Sequence, residues 1–206
     1  MNMGGLLVSI AVLSSAIALL ATAGPAGAVG PAAIAIPRVE GITIDGKAED
    51  WGEGGFRINI LGPDVEGPPP QRFDGCLRIG WDDRGLLVLA VVHDTVPFEA
   101  AQPDQIWRYD HVYVLVTAPS GEMYEVCVAP GRYPKPSPPR LYAPGDRRKP
   151  AADNATAKVT AERTIAPDGY TMELLLPWAA MNITPAIGAR MSLRVASGSA
   201  DEDRRR

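Results

Sequence analysis

Apolar side chains recur along this chain with a period of two, in runs too short for helices. That spacing belongs to pleated strands, whose successive side chains point to opposite faces. The strongest run closes the stretch Gln105–Val116, QIWRYDHVYVLV, where Val112, Val114 and Val116 take one face and Tyr113 and Leu115 the other. Apolar residues on both faces predict a central strand with neighbours covering it on two sides. The chain returns through Pro119-Ser120-Gly121 as Glu122–Ala129. A second hairpin joins Cys76–Trp81 to Leu86–Val92 through Asp82-Asp83-Arg84-Gly85, with Leu77, Ile79 and Trp81 sharing a face. Its turn is well suited, because Asp bonds its own backbone and Gly85 is free to take positive φ. A third runs from Ala155–Thr164, with Lys158, Thr160 and Glu162 outward, through Ala166-Pro167-Asp168-Gly169 to Tyr170–Leu176, with Tyr170, Met172, Leu174 and Leu176 inward. Gly41–Ile44, Gly55–Leu61 and Arg190–Ala196 complete the predicted strands.

Helical pattern is confined to single turns. Ala48–Trp51 is one, with Trp51 expected to plug an end of the core, and Pro177–Met181 is another, opening on proline. Gly62–Pro70 and Pro130–Pro150 are proline-rich and read as irregular, and Asp94–Asp104 as the loop that delivers the chain to Trp107. About nine short strands predict an all-β domain over residues 41–206, an antiparallel β-sandwich of jelly-roll or immunoglobulin-like type.

Composition supports this reading. Gly and Pro make up about a fifth of the 206 residues, and 46% are hydrophobic, enough for one domain with a core. The net charge of -4 argues against nucleic acid as partner. Arg147-Arg148-Lys149 and Arg204-Arg205-Arg206 are short clusters that read as solvated charge. The first charged side chain comes after Pro37, and Leu6–Ala21 is an apolar run of about sixteen residues, short of the roughly twenty needed to span a membrane. Ala26-Gly27-Ala28 then offers a small-x-small cleavage pattern. Residues 1–28 are therefore expected to be a signal peptide and residues 29–40 a flexible lead-in. The mature protein is expected to be secreted or periplasmic, with no membrane attachment. Cys76 and Cys127, the only cysteines, could pair in an oxidising compartment or remain buried thiols.

Catalytic chemistry has little to build on. His93 and His111 sit in or beside strands with no Ser or Cys motif at a telling distance, and read as structural. Glu49-Asp50 and Asp82-Asp83 are adjacent carboxylates on turns, whose side chains diverge and lack glycosidase geometry. They are expected to be solvated or, at Asp82 and Asp83, to donate oxygens to calcium. Trp107, three residues before Asp110 at the mouth of the central strand, is either a satellite of the core or a rigid platform. A platform on a β scaffold suits a sugar, because the C–H face of a pyranose packs on an aromatic ring while polar neighbours satisfy its hydroxyls.

Four landmarks, in order, resemble the family 9 carbohydrate-binding modules and their DOMON-like relatives. They are Ile44-Asp45-Gly46-Lys47 followed by Trp51; Trp81-Asp82-Asp83 to Leu86 and the apolar strand reaching Asp94; Trp107-Arg108-Tyr109-Asp110 before a strand; and Met172-Glu173 to Pro177-Trp178. The resemblance runs from Ile42 to about Asp203. It implies a β-sandwich that binds the ends of xylan- or cellulose-type sugars without catalysis, as an appendage of a xylan-degrading enzyme serving carbohydrate catabolism, with structural calcium. Trp107 matches one of the family's two clamping tryptophans, and the expected contacts are Trp107, Asp110, Tyr113 and Glu125. Two have changed chemical type: the family's acidic contact falls at Tyr113 and its basic contact at Glu125. Its amide contact falls near Ala196, and its second tryptophan beyond Arg206, so a truncated C-terminus is expected. Two alternatives keep the sandwich: a protein-interaction domain that has lost sugar binding, and a haem-binding domain pairing His93 or His111 with Met123 or Met172.

Overall fold

Strand pairing follows the alternating runs. The structure is a computed structural model and describes residues 5–10, 33–60, 73–142 and 158–198. Its strands are β1 (Gly5–Ile10), β2 (Ala33–Pro37), β3 (Phe56–Ile60), β4 (Phe73–Trp81), β5 (Gly85–Asp94), β6 (His111–Thr117), β7 (Met123–Ala129), β8 (Arg140–Tyr142), β9 (Thr160–Ala166), β10 (Gly169–Pro177) and β11 (Arg190–Gly198). The first sheet has the order β2-β1-β11-β6-β7-β8 and the second β3-β4-β5-β10-β9. Neighbours are antiparallel except β1 and β11, which run parallel. The architecture is the expected all-β sandwich.

The period of two sets the core. Val112, Val114 and Val116 of β6, with Val126 and Val128 of β7 and Leu193 of β11, face Leu77 and Ile79 of β4, Val88 of β5, and Met172 and Leu174 of β10. Each is buried. Trp81 and Trp178 join this core and direct their indole N–H groups to the carbonyls of Ile36 (3.0 Å) and Asp82 (2.7 Å).

Three expectations are corrected here. Trp51 does not plug an end of the main core. It lies in a separate cluster with Val39, Ile42, Leu87 and Leu89, on the outer face of the second sheet, which explains why β5 is buried on both faces. Gly41–Ile44 is not a strand: it belongs to the segment that packs Ile42 into this cluster. The lead-in is ordered from Ala33, because Ile36 is fully buried and the Val39 N–H bonds the Trp81 carbonyl at 2.9 Å. Gly5–Ile10, inside the expected signal peptide, pairs between β2 and β11; the cleavage pattern at Ala26–Ala28 lies outside the described residues. The first part of the run expected from Ala155 also lies outside them, and β9 begins at Thr160.

Cys76 and Cys127 point outward from opposite sheets and are not joined by a disulfide. Sheets of a sandwich pack about 10 Å apart, beyond the roughly 7 Å Cα separation a disulfide tolerates.

Glu173 is an acidic side chain with no exposed surface, on the outer face of β10. Its Oε2 accepts the backbone N–H groups of Asp45 and Gly46, both at 2.8 Å, and its Oε1 accepts the Trp51 indole N–H at 2.7 Å. Gly46 is required there: its φ is +78° and a Cβ would run into the Arg163 backbone. One carboxylate thus fixes the segment that covers the second sheet. Glu173→Gln puts an amide donor among these donors and is expected to lower unfolding free energy by about 2 kcal/mol in urea titration. Glu162→Gln, at its exposed cross-strand neighbour, is expected to change it by less than about 0.5 kcal/mol; equal losses would remove the staple from the account.

Candidate functional site

Because Val112, Val114 and Val116 turn inward, His111, Tyr113 and Leu115 turn outward, and the register carries this face across the first sheet. Ala196, Tyr113, Cys127 and Tyr142 form one cross-strand row over β11, β6, β7 and β8. Arg194, Leu115 and Glu125 form the next over β11, β6 and β7. Among the described residues the outer face of β6 is therefore open, contrary to the cover that its apolar residues predicted. It floors a groove of about 450 Å³ lined by Trp107, His111, Tyr113, Glu125, Tyr142 and Arg194, among others.

Trp107 reaches the groove from a 3-10 turn, Pro103–Arg108. The preceding residue, Ile106, is fully buried and packs with Ala100, Cys127 and Ala129. With Ile106 driven inward, the next side chain is pushed out, and Trp107 is 53% exposed. Its indole N–H donates to the Asp104 carbonyl at 3.1 Å, which fixes the ring on its own turn. The platform reading holds and the satellite-core reading does not. The Arg108 guanidinium carbon lies 4.6 Å from the Trp107 ring centre, and that of Arg194 lies 5.7 Å from the Tyr113 ring centre.

The loop that carries Trp107 is held by buried charge. Arg132 donates to the Asp94 carbonyl at 2.6 Å, the Asp94 carboxylate at 2.5 Å and the Asp110 carboxylate at 3.3 Å, so one guanidinium binds both ends of the loop. Asp110 also accepts the Phe98 N–H at 2.7 Å. Midway, Glu99 accepts the backbone N–H groups of Gly131 (3.0 Å) and Arg132 (2.7 Å) and the side chain of Arg140 (3.0 Å). Asp94, Glu99 and Asp110 are all buried. Three carboxylates face two guanidiniums, and backbone N–H groups supply the remaining positive potential.

Three of the four expected contacts, Trp107, Tyr113 and Glu125, therefore meet in one groove. Asp110 does not. At 1% exposure it belongs to the clamp beneath the loop, its Oδ2 accepting from both the Phe98 N–H and the Arg132 guanidinium. Tyr142 and Arg194 were not singled out, and His111 was read as structural or as a haem ligand, not as part of this groove. Outward phase on the last strand was the available signal for Arg194, whereas Tyr142 reaches the groove only because β8 pairs with β7 inside a segment read as irregular.

Asp82 and Asp83 do not fit a calcium site. Asp82 accepts the Arg84 and Gly85 backbone N–H groups and pairs with the Arg84 guanidinium at 2.7 Å, while Asp83 pairs with Arg38 at 2.8 Å. Among the described residues no group of three or more His, Cys, Asp or Glu side chains gathers as a metal would need. Haem ligation fits no better. Met172 is fully buried between the sheets, while His93 lies toward Asp168 outside them and His111 faces the groove. His111 and Met123 stand at opposite ends of the β6–β7 pair.

The family model described as carbohydrate family 9 binding domain-like matches residues 44–206. This chain belongs to that family. Among solved structures it is similar to a carbohydrate binding module family 9 from Caldicellulosiruptor kristjanssonii in complex with cellotriose, with a TM-score of 0.58 at 17% identity, over 81% of this chain and 76% of that one. The same kind of module from that organism in complex with glucose gives a TM-score of 0.58 at 20% identity, over 82% and 80%. At such identities the likeness speaks for the fold. No curated protein matches this chain in sequence.

In this family 9 module, Arg132→Met leaves Asp94 and Asp110 buried without their cation. It is expected to cost about 3 kcal/mol of stability and to raise amide hydrogen exchange over residues 95–110 before the rest of the domain; uniform exchange would argue against a local clamp. Burial holds the His111 imidazole below its ordinary range, while its Nδ1 contact with the Tyr109 carbonyl at 2.5 Å works in the opposite direction. A depressed folded-state pKa means the unfolded chain binds the proton more readily. The contribution of His111 is thus complete above about pH 6.5 and is lost as pH falls. His111→Gln is expected to flatten the pH dependence of melting temperature below that point.

Proposed function

We propose that this family 9 module is a secreted, non-catalytic binder of plant-type oligosaccharides of the xylan and cellulose class, serving carbohydrate catabolism. The observation that carries the reading is the half-exposed indole of Trp107, fixed by the buried Ile106 beside it and opening on the groove over β6, β7 and β11. A pyranose laid on the free part of that ring covers apolar C–H surface, and Tyr113, Glu125, His111 and Ser197 offer the hydroxyl, carboxylate and imidazole partners its rim requires. Family membership and the cellotriose and glucose carried by the two similar modules support this class. The uncharged, apolar N-terminus followed by Ala26-Gly27-Ala28 supports export. Removal of residues 1–28 would take β1 with it and leave β2 held by Trp81.

Isothermal titration with xylo- and cello-oligosaccharides is expected to give a binding heat that Trp107→Ala weakens at least about tenfold, a loss of roughly 1.4 kcal/mol. Wild-type protein giving no heat with either series would defeat the reading.

A further inference from the structure

The arginines of this domain separate by what they touch. Arg38, Arg84, Arg132 and Arg140 each meet a carboxylate, Arg78 and Arg163 donate to backbone carbonyls, and Arg57 donates to the side-chain carbonyl of Asn59. Arg108 and Arg194 differ. Both are exposed, and among the described residues neither forms an ion pair. Each instead lies over an aromatic ring that lines the groove, Arg108 over Trp107 and Arg194 over Tyr113.

A guanidinium held over a ring by cation–π attraction has less side-chain freedom to lose on binding, and the edge of its planar fork presents N–H donors that are already pre-organised. The partner that fits such an edge is a planar carboxylate, which accepts two parallel N–H bonds. Resting on the sugar-binding reading above, we propose that the preferred ligands are acidic: oligosaccharides bearing a uronic acid, with the uronate carboxylate on the Arg194 side of the groove.

Glu125 sets the orientation. It shares a row with Arg194 and Leu115, two strands away across β6, or about 10 Å at the usual strand spacing. A uronate placed toward Glu125 is repelled; one placed toward Arg194 is attracted and leaves Glu125 to accept sugar hydroxyls. Arg194 thus distinguishes charged from neutral sugars, and the Trp107 platform holds either.

The test compares three probes by isothermal titration at low salt: xylotetraose, xylotetraose substituted with glucuronic acid, and the same substituted oligosaccharide after its carboxyl group has been reduced to the alcohol. The last two have nearly the same shape and differ in charge. The acidic probe is expected to bind about tenfold more tightly than its reduced form, with the advantage shrinking as sodium chloride is raised. Arg194→Gln is expected to bring the ratio of the two affinities close to one. Equal affinities in the wild-type protein, or a ratio that survives Arg194→Gln, overturn the acidic preference while leaving neutral sugar binding intact. Absence of binding by all three probes overturns both.

Discussion

The groove depends on the Arg132 guanidinium, which reaches from the opposite loop and is shared between Asp94 at the end of one strand and Asp110 at the start of the next. The span between them has little ladder pairing of its own, so its backbone donors need acceptors from elsewhere. Carboxylates supply them, Asp94 for Val96 and Asp110 for Phe98, while Glu99 of the span accepts the N–H groups of Gly131 and Arg132 on the opposite loop. Charge of one sign on three buried side chains is tolerable only with cations and N–H groups around it. Arg132 is the one cation here that is itself buried.

The same solution appears on the far side of the sandwich, where Glu173 collects the N–H groups of Asp45 and Gly46 and the Trp51 indole. In both places an irregular segment lies against a sheet without joining it. A carboxylate stands in for the missing strand partner. The two sites differ in cation: Arg132 is drawn into the first, whereas Glu173 is met by uncharged N–H donors. The Glu173 staple therefore fixes a cover, and the Arg132 clamp fixes a loop that displays a ring.

Strand order along the chain was legible because burial on a pleat imposes a period of two: the inward residues of β4, β6 and β10 were those the alternation named. Trp107, Tyr113 and Glu125 were legible through their place in a run and the landmarks around it. Asp110 misled because it is adjacent to the site in sequence, and nothing in one sequence says whether a loop carboxylate faces ligand or supports the loop from below. The roles of Glu173 and Arg132 were hidden for the same reason, since their partners lie far along the chain. The apolar outer face of β6 was read as covered. Tyr113 and Leu115 are apolar for another purpose, as the floor of an open groove.

Why the groove lies on the first sheet follows from what covers the second. There, Val39, Ile42 and Trp51 occupy the outer face over Leu87 and Leu89. Beside them lies a row of Thr164, Thr171, Val91, Cys76 and Asn59, with Val91 39% exposed. Short side chains on a twisted sheet make a flat surface, which cannot surround a small ligand. Among the described residues the first sheet has no such cover, and it has walls: the 3-10 turn bearing Trp107 on one side and β8 on another. Each wall is fixed by the same buried charge, because Glu99 of the Trp107 loop also binds Arg140 of β8. Any change that releases this network moves both walls together, so the shape of the groove and the integrity of the clamp are a single property.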